Sequence, residues 1–407
     1  MARYRGTDRQ RLTRLQRSAG GARVRAGGPD ARVRERPNSS IDPWVLFVVV
    51  TLTMVGLTAV YAATYHLGIS HLKWHFVRAA IGLVVLLLGI KLCHRRFAGK
   101  ARHVVLVGTL LLLAATLVVG IVVSGARRWL GPFQPAELAK FALPVWLAAY
   151  FANLKSESTK DWNFKNTVAK PGAVVFVFLV LLLLQPAIST TIILAVATMV
   201  LFFVVGVRLR YLVPIALIAG LLVFAAIRLN PYARNRVSCW MEGSRYQQKQ
   251  SLIAVGSGGP FGKGLGEGKQ KLYFLPELHT DFIAAAIGEE FGFVGSVGIF
   301  GLFGVFLVGG MLIGLRANSY FGQFLASGIV ITIFMYALIH MAVALGLTPP
   351  TGQPLPFVSF GGSALVSNLF AAGVLLNISR YRRRPDERAD SRRWNRRSRV
   401  SRAGARG

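Results

Sequence analysis

Apolar residues run along this chain in stretches of about twenty, and no polar face recurs within them at helical spacing. Residues 104–123 and 174–184 are typical. A soluble helix of that length would show a polar stripe every three to four residues. An unbroken apolar run of this length instead predicts a transmembrane helix. Ten such spans are predicted, near 43–65, 74–93, 104–124, 134–153, 169–186, 188–206, 211–228, 281–314, 320–346 and 361–379. The predicted class is all-α, a polytopic membrane protein. No internal repeat is evident, so the inverted-repeat signature of many transporters is missing.

The polar positions set the orientation. The short segments 91–103 (KLCHRRFAGKARH), 153–166 (NLKSESTKDWNFKN) and 207–210 (VRLR) are basic and alternate with less basic ones. The positive-inside rule places these three, and both termini, in the cytoplasm. Residues 229–280 then form one long extracytoplasmic loop between helices seven and eight. Cys93 and Cys239 fall on opposite sides of the membrane, which separates them beyond the reach of a disulfide.

Composition adds the tails. The 407 residues are 53% hydrophobic and only 16% charged, with a net charge of +32. Residues 1–42 hold eleven Arg against four acids, and 380–407 hold twelve Arg against three. Such Gly- and Ser-containing arginine tails lack a core-forming pattern and are predicted to be disordered. The long polar beginning does not read as a cleavable signal peptide. Anionic lipid headgroups suit the tails. Nucleic acid is disfavoured, because few stacking aromatics are interleaved with the tail arginines beyond Trp394. Residues 43–379 are left as the membrane domain.

A few ionisable groups stand where the apolar pattern is strong. FLPELHTDFIAAAIGEE (274–290) carries Glu277, His279, Asp281, Glu289 and Glu290. Asp281 opens the eighth span. It reads either as a helix cap or as a carboxylate whose desolvation suits it to general-base work. Glu289 and Glu290 read as structural pairing inside the bundle, since a lone charge there is costly. In SGARRWLGPFQPAELAK (124–140), Arg127 and Arg128 lie outside against the charge trend and are anion-binding candidates. Glu137 and Lys140 share a helix face and form a structural pair first, a functional one second. The long loop is cationic through Arg234, Arg236, Lys271 and others. Glycines 262, 264, 266 and 268 would let its backbone approach phosphate oxygens. No cysteine or histidine cluster suits a structural metal.

QKLYFLPELHTDFIAAAIGEEFGFVG (270–295), with YQQKQSLIAVGSGG before it and TGQPLPFVSFGGSAL after it, resembles the SEDS family of shape, elongation, division and sporulation proteins. RRWLGPFQPAELAK matches an earlier family motif in order and place. The resemblance covers residues 43–380, and IGEE and QKL lie closer to the FtsW branch than to RodA. It implies a peptidoglycan glycosyltransferase in the bacterial cytoplasmic membrane that polymerises lipid II. The implied partners are a class B penicillin-binding transpeptidase and other divisome or elongation-complex membrane proteins. It implies Asp281 as the catalytic residue. Substrate contacts are expected from Arg127, Arg128, Arg234, Arg236, Lys271, Glu277, His279, Ser359, Gly361, Gly362 and Ser363. A divalent cation such as Mg2+ or Mn2+ is the one cofactor considered. Two departures stand out. QPAIST (185–190) has Ala187 and Ser189 where the family often has QPD-x-G-T, and Phe360 replaces a usual Tyr. A flippase of lipid-linked precursors and a non-catalytic divisome scaffold are the alternatives. The buried glutamates support the first and Ala187 the second.

Overall fold

The computed structural model describes residue 37 and residues 39–64, 69–123, 126–157, 162–229, 231–243, 246–271, 274–276 and 278–382. Most of each arginine tail, and Glu277, lie outside the described residues. Ten long helices stand where the apolar runs predict them. They are α1 (Pro43–Thr64), α2 (Ile69–Lys91), α3 (Ala101–Val119), α4 (Pro135–Glu157), α5 (Lys170–Leu184), α6 (Ile188–Val205), α7 (Leu209–Leu229), α10 (Ile283–Arg316), α11 (Tyr320–Ala344) and α12 (Gly362–Ser379). Among the described residues, nine helices are long and apolar enough to cross a membrane. The tenth, α4, is 23 residues long and carries Glu137 in its first turn and Lys155 in its last.

The helices differ in how far they face protein. The apolar windows of α11 and α12 are each 72% buried, and that of α7 is 6% buried. Leu217, Ile218, Leu221 and Phe224 of α7 are exposed. In an apolar chain of this kind, such a surface suits lipid. The α2 and α12 backbones meet through Gly89 and Gly373, as small residues permit in membranes. A Cβ on Gly373 would lie 2.3 Å from the Leu86 carbonyl oxygen.

Three local features differ from the sequence expectation. The third span ends at Val119, not 124. Ile121–Val123 (β1) and Ala126–Trp129 (β2) form an antiparallel pair instead. Gly120 breaks the helix with an extended ψ of 144°, and the β-branched residues after it favour a strand. The long loop is not irregular throughout, because it holds α8 (Pro231–Met241) and α9 (Tyr246–Ser257). The edges of the tails are also tied down. Asp42 pairs with Arg382 at 3.3 Å, and Ser39 Oγ donates to the Ser379 carbonyl.

The face of the bundle holding those chain ends has its own polar lock. His94 follows α2, is buried, and hydrogen-bonds Asn377 Oδ1 through Nδ1 at 2.8 Å. Burial pushes its imidazole down to about 4, against about 6.5 in an unfolded chain. Below pH 6.5 the unfolded chain takes up a proton that the folded one refuses. Stability present above pH 6.5 therefore falls by about 1.4 kcal/mol per pH unit until about pH 4. Melting of the purified protein between pH 7.5 and 5 should show this slope, and His94→Gln should flatten it. An unchanged slope in the variant would assign the acid sensitivity to other groups.

Candidate functional site

Residues 275–276 and 278–283 are anchored by apolar side chains. Leu275, Leu278, Phe282 and Ile283 are buried, which leaves His279, Thr280 and Asp281 half-buried at the head of α10. Phe282 holds the capping position of α10, and that position makes no side-chain cap bond. The loop between α11 and α12 clamps this segment. Ser359 Oγ donates to the Thr280 carbonyl and accepts from the Leu355 N–H, both at 2.8 Å. The Phe360 N–H donates to the His279 carbonyl at 3.0 Å. The Phe360 ring meets the His279 ring edge-on, with centroids 5.4 Å apart. Asp281 is thus presented on a stretch of chain held from both sides.

The other face of Phe360's surroundings comes from α2. His75 packs on the ring at 5.3 Å, and the Arg78 guanidinium carbon lies 4.7 Å from the ring centre. Sequence reasoning passed over both residues. The signal was present, since a cation inside an apolar span is a functional pointer by itself.

The glycine loop makes a different approach from the one its composition suggested. Helix α10 breaks at Gly292, where φ is 67° and ψ −163°. Loop backbone enters that break. Lys263 N–H donates to the Glu289 carbonyl at 3.0 Å, Gly264 N–H to the Glu290 carbonyl at 3.1 Å, and Phe293 N–H to the Gly259 carbonyl at 2.9 Å. A Cβ on Gly262 would fall 2.1 Å from the Glu290 carbonyl oxygen. Gly262 therefore serves an approach to this helix, not to a phosphate.

The two glutamates find partners in that loop. Glu289 pairs with Lys263 at 3.1 Å and accepts the backbone N–H groups of Lys269 and Gln270. Glu290 pairs with Lys271 at 3.1 Å, with both side chains buried. The partners thus come from the long loop and not from neighbouring spans. Lys271 also donates to the Gly266 carbonyl, so its charge is already matched within the protein. Glu137 and Lys140 meet at 2.5 Å, fully buried, with Ser367 Oγ 3.3 Å from the same carboxylate.

The candidate arginines are spread out. Arg127 is exposed on β2, and its guanidinium reaches the Leu117 and Val118 carbonyls at 3.5 and 3.4 Å. Arg128 donates to the Gln185 and Pro186 carbonyls at the end of α5. Arg234 is exposed on α8; the side chain of Arg236 lies outside the described ones. Gly361 caps α12 with no side-chain bond, and Gly362 and Ser363 begin that helix. Cys239 Sγ donates to Asn235 Oδ1 at 3.3 Å. A cavity of about 190 Å³ runs beside Arg128, walled by Pro186, Ala187, Ile188, Ile339 and Pro350. Ala187 gives that wall an apolar side chain.

The helix order, the clamped HTDF segment and the sequence agree on a lineage. The profile of the FtsW/RodA/SpoVE cell cycle proteins matches residues 43–384. The chain belongs to this family. It is 35% identical over 358 residues to the probable peptidoglycan glycosyltransferase FtsW of Geobacter metallireducens, covering 83% of this chain and 94% of that protein. The corresponding FtsW of Tolumonas auensis is 37% identical over 374 residues, covering 86% and 95%. Among solved structures, a chain of a peptidoglycan synthase complex that coordinates polymerization and crosslinking superposes with a TM-score of 0.71. It is 29% identical, over 84% of this chain and 98% of that one. The rod shape determining protein RodA of Thermus thermophilus superposes with a TM-score of 0.64 at 28% identity, covering 84% and 98%.

Proposed function

We propose that this chain is a peptidoglycan glycosyltransferase that polymerises lipid II into glycan strands during cell division. The observation that carries the reading is the presentation of Asp281. It is a carboxylate at the head of a membrane helix, on a segment clamped through Ser359 and Phe360. Asp281 takes the proton of the acceptor sugar's 4-hydroxyl. That oxygen attacks the anomeric carbon of the lipid-linked chain, and the bond from that carbon to the pyrophosphate breaks. Undecaprenyl pyrophosphate leaves with the bonding electrons, and cations stabilise the charge that develops on it. Arg127 and Arg234 are exposed enough to contribute. Among the described residues no group of three or more His, Cys, Asp or Glu converges to hold a metal ion, and no step is assigned to Mg2+ or Mn2+. Purified protein given fluorescent lipid II should produce polymer ladders. Movement of lipid II across a bilayer without ladders would overturn the reading in favour of a flippase. The flippase alternative drew on Glu137, Glu289 and Glu290, and each is already ion-paired.

The site would face outward from the bacterial cytoplasmic membrane, with both termini in the cytoplasm. A class B penicillin-binding transpeptidase, other divisome proteins and anionic lipids at the tails complete the proposed partners. The orientation rests on the basic short loops. A membrane-impermeant maleimide added to cells should label Cys239 and miss Cys93. The reverse pattern would invert the topology.

A further inference from the structure

We infer that Arg78, with His75 and the first turn of α12, forms the seat for the diphosphate of the polyprenyl-linked substrate. This rests on the glycosyltransferase reading and adds to it which side chains hold the leaving group. Arg78 stands inside the apolar stretch Lys73–Lys91 of α2 and is half-buried. A charge in such a place requires compensation. Lys140, Lys263, Lys271 and Arg382 each have a carboxylate within 3.3 Å. Arg78 has neither an ion pair nor a hydrogen bond among the described residues, and rests on the Phe360 ring. Its five N–H donors remain for a ligand.

Three neighbours point to an anion. His75, one turn away on α2, is 2% exposed, and its Nδ1 is buried without a hydrogen-bond partner. The ring it packs on is the one that carries Arg78 and meets His279, two residues from Asp281. The third neighbour is the start of α12. Gly361 offers no side-chain cap, so the first N–H groups of α12 stay available with the positive end of its dipole. Arg78 lies against that start, since a Cβ on Gly362 would come within 3.1 Å of Arg78 Nε. Backbone N–H groups at a helix start together with a guanidinium suit phosphate oxygens. The flanking α2 residues Phe76, Val77 and Ile81 are exposed apolar side chains, a surface that suits the hydrocarbon attached to such an anion. A phosphate on a lipid, placed beside Asp281, is the leaving group of the proposed reaction.

The test uses full-length protein in nanodiscs, with undecaprenyl pyrophosphate as the probe and binding read by native mass spectrometry. Arg78→Ala should weaken binding about ten- to hundredfold, the loss expected for hydrogen bonds to a charged partner. Arg78→Lys should restore part of it. Phosphatidylglycerol at equal mole fraction should not compete. Binding by Arg78→Ala within about threefold of wild type, or no binding by wild type, overturns the inference. Equal competition by phosphatidylglycerol also overturns it, by showing a phospholipid headgroup site. If Arg78→Ala does not fold, the contrast between Arg78→Lys and Arg78→Gln decides the same question. Lipid II polymerisation is run alongside on wild type. Ladders with normal Arg78→Ala binding sink the seat and spare the function; Arg78-dependent binding without ladders does the opposite.

Discussion

Asp281→Asn should reduce lipid II polymerisation by a factor on the order of 10²–10⁴, the contribution of a positioned general base, while the protein still inserts and still binds the proposed transpeptidase partner. Asn keeps the size of Asp and caps a helix nearly as well. The two readings of this residue therefore part at this substitution. A cap would lose a few tenths of a kcal/mol, up to about 1 through the helix dipole. The capping position itself belongs to Phe282 and makes no side-chain cap bond. What Asn removes is the proton acceptor. The measurement is the rate of glycan formation by purified wild type and variant, normalised to folded protein. A variant within a few-fold of wild type would place the base elsewhere.

Lys271→Met should be the most destabilising single change in the long loop. It strands the Glu290 carboxylate, which is 5% exposed and pairs with Lys271 at 3.1 Å. Removing one member of a buried ion pair costs about 3–5 kcal/mol, because the other charge remains desolvated. Pairing Lys271→Met with Glu290→Gln should recover most of that loss, since no net charge is then buried. Thermal unfolding of the purified single and double variants checks this. If the losses of the two single changes simply add in the double variant, the pair is not coupled. Proteolysis within residues 258–271 should accelerate in Lys271→Met, because that backbone is stitched to the break in α10 at Gly292. Lys271 would then act on activity by holding the loop, which separates it from Arg127 and Arg234 on the exposed surface.

The sequence alone determined the ten helices. In a bilayer the backbone must satisfy its own hydrogen bonds, so an apolar run of sufficient length has little choice but to be helical. It also determined the Glu137–Lys140 pair, because residues three apart on a helix meet whatever surrounds them. It singled out Asp281 by placing a carboxylate where water runs out. What it could not determine are the contacts between residues far apart in the chain. Ser359 clasps Thr280 across 79 positions, and Glu289 and Lys263 pair across 26. The glycines at 262–268 read as a phosphate-binding loop, and Gly262 instead approaches the broken α10. The β1–β2 pair shows the same limit, since apolar β-branched residues after Gly120 continue a hydrophobic run without revealing that the helix has ended. Periodicity reports which way one element faces its solvent. Only the packing of α2, α10 and α12 at one end of the bundle brings Arg78, Phe360 and the His279–Asp281 segment together, because these come from three separate stretches of chain.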